Sequence, residues 1–119
     1  MTAERTAEEW GRIAVSLPGW RWLPGMLNDK GGRLVDGVDS PRRFPDPDDP
    51  ATAGCLLALL GGQVTIRRRG QWVVEWRGMA PLAPGFGSVS RSVTGTGSTL
   101  GRAIIAAAAA IGRWPGGAQ

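Results

Sequence analysis

The stretch Val64–Arg77 reads VTIRRRGQWVVEWR and decides the fold. Apolar and polar residues alternate at its start, and Trp72, Val74 and Trp76 occupy every second position after the central Gly-Gln pair. Alternation on both sides of a tight turn predicts a β-hairpin over residues 64–77. Because this turn is too short for a crossover between parallel strands, the sheet is predicted to be antiparallel. Two strands alone are marginally stable, so we expect a further strand and a cover of helices.

Outward from the hairpin, helices are predicted where apolar residues recur at helical spacing between capping residues. Asp49 suits an N-cap and Pro50 the first helical position, while Thr6 and Glu9 have the spacing of a capping box. The full prediction for one domain over residues 1–119 is a helix over 6–17, short strands within 20–38, a loop over 40–50, a helix over 50–60, the hairpin over 64–77, a loop over 78–87, a third strand over 88–93 and a helix over 99–111. This order predicts an α+β fold, a layered sandwich in which about three helices pack on an antiparallel β-sheet of three to five strands.

The composition argues against several kinds of chemistry. The 119 residues include no His and a single Cys, Cys55. Since His is the commonest general base and a common zinc ligand, we expect no enzymatic activity, no metal and no cofactor. Cys55 follows the apolar face of a predicted helix, which favours a core residue over a nucleophile. Asp46, Asp48 and Asp49 fit a turn and a helix cap, with a cation site as the alternative.

Positive charge is concentrated in the second half of the chain. Residues 1–60 hold 7 basic and 9 acidic residues, a net charge of −2, whereas residues 61–119 hold 7 basic residues and one acid, a net charge of +6. Such a patch attracts phosphate groups, although a solvated basic face or a docking surface for an acidic protein explains it equally. The apolar run Ala103–Ile111 is far shorter than the about 20 residues that span a bilayer, and no signal peptide is visible. We therefore expect a soluble cytoplasmic protein without a membrane partner.

The hairpin offers the first candidate site. Arg67 and Arg69 share one face of its first strand, and Trp72 lies just beyond the turn. A guanidinium that binds phosphate and an indole on which a base stacks together suffice to hold a nucleotide. The alternative is that the tryptophans of the hairpin form a core face, which we favour for Trp76, leaving Trp72 beside the turn as the more open position.

The approach to the last helix offers the second candidate site. Glycines there let the backbone come close to a ligand, hydroxyl groups add donors, and the helix N-terminus favours an anion. A plain flexible loop with a helix cap is the alternative. The candidate ligand-binding residues of this segment are Arg91, Thr94, Gly95, Thr96, Gly97, Ser98, Thr99 and Arg102.

Three further tryptophans stand beside Pro-Gly pairs or in the tail. Trp20, Trp22 and Trp114 could anchor a partner or a homodimer interface, or they could seal the ends of a small core.

Three blocks of the chain resemble a group of small proteins encoded by tailed phages and prophages. The blocks are Trp10–Met26 (WGRIAVSLPGWRWLPGM), Pro45–Leu60 (PDPDDPATAGCLLALL) and Leu100–Gly117 (LGRAIIAAAAAIGRWPGG). The helix–hairpin–helix order is also similar in pattern to the phage ABA sandwich domain, whose layers are helix, sheet and helix. The resemblance implies a phage accessory protein that is made in the infected bacterial host, where many such proteins counter host defence. It implies no activity that can be transferred.

These observations predict a binding protein without catalysis. The leading hypothesis is sequestration of a small anionic ligand, a nucleotide-type signalling molecule, by a homo-oligomer. An inhibitor that docks on a host defence protein is the second hypothesis, and weak nucleic-acid binding is the third.

Overall fold

The structure, a computed structural model, describes residues 5–33, 43–81 and 85–117. At residues 80 and 81 it describes the backbone alone. It confirms the predicted α+β fold, with three helices and a three-stranded antiparallel sheet. The elements in chain order are α1 (Ala7–Ser16), α2 (Pro50–Leu60), β1 (Gln63–Arg69), β2 (Gln71–Pro81), β3 (Ser88–Gly97), α3 (Leu100–Ile111) and a short 3₁₀ turn (Pro115–Gly117).

The helices begin and end at residues whose capping chemistry the sequence displays. The Thr6 hydroxyl accepts from the Glu9 backbone N–H, and the Glu9 carboxylate accepts from the Thr6 N–H, which completes the predicted capping box of α1. Asp49 caps α2 by accepting from the Thr52 N–H at 2.9 Å, and Gly112 ends α3 in the left-handed conformation with φ 94°.

The sheet has the order β1-β2-β3, and its strands are longer than predicted. Residues 78–81 pair with residues 88–91 where the sequence predicted a loop, and residues 94–97 continue β3 where it predicted a glycine-rich loop. Both predictions were wrong because hydroxyl residues alternate with Val, Arg or Gly from Ser88 through Gly97, and residues 78–81 pair with the strand that this alternation forms. That pattern satisfies a strand with one solvated face.

The segment before α2 contains no named strand among its described residues. The strands predicted within 20–38 are replaced by two isolated bridges, Leu27 with Arg33 and Asn28 with Pro45. Pro24-Gly25 interrupts this stretch, so its backbone turns before a ladder forms. The possible strand at Leu34-Val35 and the first part of the predicted loop over 40–50 lie outside the described residues.

Helix α3 is the centre of the molecule. One side of it packs on β3 and β2, and other sides pack on α1 and α2. The inner face of the sheet carries the buried Val74 and Trp76, whereas the side chains on the outer face of β1 and β3 are exposed. The order of layers is therefore α1 and α2, then α3, then the sheet, which differs from the helix–sheet–helix order that the family resemblance implied.

The tryptophans seal this core rather than standing at its surface. Trp76 and Trp114 are fully buried, and their indole N–H groups donate to the carbonyl oxygens of Gly61 at 3.1 Å and Ala14 at 2.9 Å. Trp22 is buried, and the half-buried Trp20 contacts both Trp22 and Trp114 with ring centroids 5.5 and 6.0 Å away. Of the two interpretations, a partner anchor or a seal at the end of the core, the second is correct for Trp22 and Trp114.

Candidate functional site

The N-terminus of α3, where the sequence predicted an anion cradle, already holds a carboxylate of the protein itself. Asp48 accepts hydrogen bonds from Thr99 Oγ1 at 2.7 Å and from Arg102 Nε and Nη2, both at 2.9 Å. Partial burial raises the pKa of Asp48, but the hydrogen bonds from Arg102 and Thr99 outweigh it and leave the pKa below its usual range. The predicted cradle is thus occupied from within the fold.

Arg102 is a structural anchor at this position. Its side chain is 16% exposed, and besides gripping Asp48 in a two-pronged pair it donates through Nη1 to the Arg5 carbonyl oxygen at 3.1 Å. Thr99 is the N-cap of α3 and accepts from the Arg102 backbone N–H. Ser98 is exposed and joins β3 to this cap. These partners tie α3 to the loop before α2, which the sequence offered no signal to predict.

Gly95 and Gly97 serve packing, and their assignment to ligand approach was wrong. A Cβ at Gly95 would overlap the Ala107 nitrogen and the Ala103 carbonyl oxygen, and one at Gly97 would lie 2.8 Å from the Ala103 nitrogen. Both glycines are buried on the inner face of β3 against α3. They lack side chains so that a strand and a helix can touch through their backbones.

Arg91 lies at the other end of α3. Its guanidinium donates to the carbonyl oxygens of Ala110 at 2.9 Å and Ile111 at 3.2 Å, where the helix dipole favours a cation. Since a helix of 12 residues is about 18 Å long, Arg91 and Arg102 cannot grip one small ligand. The prediction that they flank a single site was wrong.

Four of the predicted residues come together instead on the outer face of the sheet. The register places Arg67 and Arg69 on this face of β1, and Thr94 and Thr96 on the same face of β3. Between them on β2 lies Glu75, which forms an ion pair with Arg67.

Arg77 also belongs to this outer face and was missing from the predicted site. The alternation of Trp72, Val74 and Trp76 toward the core implies that Val73, Glu75 and Arg77 point outward, so the signal was present in the hairpin. In the described parts of the chain, Arg69 and Arg77 have no carboxylate partner. The face therefore carries three guanidinium groups against one carboxylate.

Trp72 is half-buried and lines a cleft rather than the outer face. The guanidinium of Arg68 lies 5.3 Å from its ring centroid, a cation–π contact. The cleft has a volume of about 300 Å³, the lower end of the range for ligand sites, and Thr99 is the only other predicted residue that lines it. Its remaining lining residues are Pro47, Asp48, Asp49, Pro50, Ala53, Leu100 and Gly101.

The remaining candidate groups have structural partners. Asp49 pairs with Arg33 through two contacts of 3.0 Å, and this pair, with the Thr52 hydrogen bonds, lowers the pKa of Asp49 to about 2. Burial raises the pKa of the Cys55 thiol, whose Sγ donates to the Pro24 carbonyl oxygen, so this thiol is held protonated. Within the described residues, no three Asp, Glu or Cys side chains are grouped to hold a metal ion.

No family model, curated protein or solved structure matches this chain. Among the described residues, no helix has the length and apolar character needed to cross a membrane.

Proposed function

We propose that this chain is a non-catalytic binding protein that captures phosphate-bearing anions on the outer face of its sheet. The observation that carries the proposal is the open face itself, on which Arg67, Arg69 and Arg77 stand beside rows of hydroxyl groups with a single acid, Glu75, among them. Guanidinium and hydroxyl groups are the side chains that most often donate to phosphate oxygens in complexes. No helix of the described chain covers this face.

The occupied N-terminus of α3 favours the outer sheet face over the cradle that the sequence predicted there. The helix N-terminus is neutralised by Asp48, so an incoming phosphate there would have to displace a charged, hydrogen-bonded carboxylate. Arg69 and Arg77 require no such displacement. We therefore place the anion-binding activity on the sheet.

The test measures binding of ATP and of inorganic tripolyphosphate by titration calorimetry at low salt. Because Arg69 and Arg77 stand too far apart to hold one small anion together, Arg69→Gln and Arg77→Gln should each weaken, by about tenfold, the binding of the anion held at that arginine, for the loss of one charged hydrogen bond. Arg21→Gln is the matched control, because it removes the same charge from an exposed residue between α1 and α2. Equal affinity in all four proteins, or no binding of either anion, would overturn the proposal.

A second candidate, capture of one planar nucleotide in the cleft, is favoured by the placement of Trp72. A base stacked on the indole would lie beside Arg68, whose guanidinium could reach a phosphate. Trp72→Leu would then abolish ATP binding, while Arg77→Gln would leave it intact. The two candidates are separated by these two variants.

We further propose that the protein acts as a phage accessory protein that counters host defence, on the strength of the three resembling blocks. Recovery of ATP unchanged from the complex would support sequestration without catalysis. Variants that bind no anion but still form a stable complex with one host defence protein would favour the inhibitor hypothesis instead.

A further inference from the structure

We propose that the anion taken by the outer sheet face is the paired phosphate backbone of a nucleic-acid duplex, read without regard to sequence. This inference rests on the proposed function, because it names the class of ligand for the same face. It is carried by the length of the face, by the side chains it holds and by those it lacks.

The length of the face exceeds a single nucleotide. Arg77 pairs with Gln63, six residues along β1 from Arg69. At about 3.4 Å per residue, the two arginines stand about 20 Å apart along the strand direction. A duplex carries about one phosphate charge per 1.7 Å of its axis with both strands counted, so a stretch of this length holds about twelve phosphates, of which a flat face meets only those on one side. One mononucleotide cannot contact both arginines, whereas a polymer backbone can.

The polar groups of the face form a line that suits a backbone. On β3 the outward positions are all hydroxyl residues from Ser88 to Thr96, a distance of about 27 Å along the strand. These positions are Ser88, Ser90, Ser92, Thr94 and Thr96. Hydroxyl groups and arginines fix the register of a protein on phosphates and sugars and carry no sequence information of their own.

The face lacks the groups that other ligands need. None of the outward residues of the three strands is aromatic, so there is no platform on which the bases of a single strand could stack. Among the outward side chains that the structure describes, the apolar ones are the half-buried Val73 and Met79 near the end of the sheet. Protein interfaces need a more apolar centre than this. Both absences favour a duplex backbone.

The experiment is fluorescence anisotropy with a labelled 20-base-pair DNA duplex over a salt series. Arg67 is paired with Glu75, so the contacts of Arg69 and Arg77 predict a slope of log affinity against log salt of about −1.8, and affinity should fall about sevenfold from 50 to 150 mM salt. Arg69→Gln and Arg77→Gln should each reduce that slope by about 0.9, while Arg21→Gln leaves it unchanged.

Three competitors separate the outcomes. Unlabelled duplex of unrelated sequence should compete equally, and a single strand of the same length and ATP should compete more weakly at equal phosphate concentration. If ATP competes as well as duplex, and Arg69→Gln and Arg77→Gln weaken ATP binding, the proposal of anion capture stands and the duplex inference fails. If neither duplex nor ATP binds, both fail. A slope unchanged in both sheet variants places the duplex elsewhere and overturns the inference.

Discussion

Replacing Gly95 with Ala distinguishes a glycine that approaches a ligand from one that packs a strand against a helix. The added Cβ would lie 2.8 Å from the Ala107 Cα and would overlap the Ala107 nitrogen and the Ala103 carbonyl oxygen. Carbon atoms in contact stand about 3.5–4.0 Å apart, so β3 and α3 would have to separate by about 1 Å. Both partners are backbone in the middle of regular elements, and neither can move aside as a side chain would.

The magnitude follows from that separation. Overpacking of a rigid core costs about 1–3 kcal/mol, and contact with backbone atoms of α3 puts Gly95→Ala at about 3 kcal/mol, the upper end of this range. With an unfolding entropy of about 2.1 cal/mol/K per residue, a 119-residue chain should lose about 12 °C in Tm. Thermal unfolding followed by circular dichroism measures this shift.

Gly54→Ala is the matched control. Gly54 lies exposed within α2, and a Cβ there would meet nothing within 4 Å. Alanine is the better helix former by about 1 kcal/mol, so this variant should melt about 4 °C higher than the natural chain. A Gly95→Ala protein that melts like the natural chain but has lost ATP binding would refute the packing role and restore the ligand cradle.

Three further predictions concern the anchors of the fold. Arg102→Ala should lower the free energy of unfolding by about 2 kcal/mol in urea denaturation, because Asp48 loses a two-pronged, partly buried pair; unchanged stability would show that the pair contributes nothing. Because the folded pKa of Asp49 is depressed to about 2, the stability that Asp49 contributes is present above the unfolded pKa and is lost as pH falls through about 4 to 2. Between pH 5 and pH 2.5, the free energy of unfolding should therefore fall less in Asp49→Asn than in the natural chain. An equal fall in both proteins would contradict this assignment. Leu56→Asp should unfold the chain, since it places an unpaired charge at a position with no exposed surface, and a natural circular dichroism spectrum would count against the register of α2.

The elements of the fold were predictable because their signals are local. The capping box of α1, the Asp49 cap with Pro50, and the alternation of Trp72, Val74 and Trp76 each lie within a few residues of sequence, and each is found in the structure. The ends of β2 and β3 were harder to predict. Strand length there depends on cross-strand partners more than on local preference, and glycines that usually mark a loop are used for close packing.

The candidate site depends on long-range contacts and was predicted only in part. Asp48 and Arg102 are separated by 54 residues, and nothing in either segment indicates that the carboxylate fills the helix N-terminus. Arg91 was placed near Arg102 by sequence distance, although its guanidinium contacts the C-terminal end of α3 and Arg102 lies in the first turn of that helix. The strand alternation was sufficient to group Arg67 with Arg69, and extending the same alternation to β2 would have added Arg77.

The placement of charges decides which of the second-half arginines are available to a ligand. Arg102 is paired with Asp48, Arg91 satisfies the last carbonyl groups of α3, and Arg68 lies over Trp72. Each of these three contacts the protein's own structure, and Arg67 is paired with Glu75, so the described outer face offers Arg69 and Arg77 as arginines without a carboxylate partner. The net charge of +6 in that half therefore overstates the charge that is available to a ligand, and that charge does not lie at the N-terminus of α3 as the sequence suggested. The charge that remains available lies on a flat, solvated surface, which favours extended anions held by many weak contacts over a small anion held in a closed pocket.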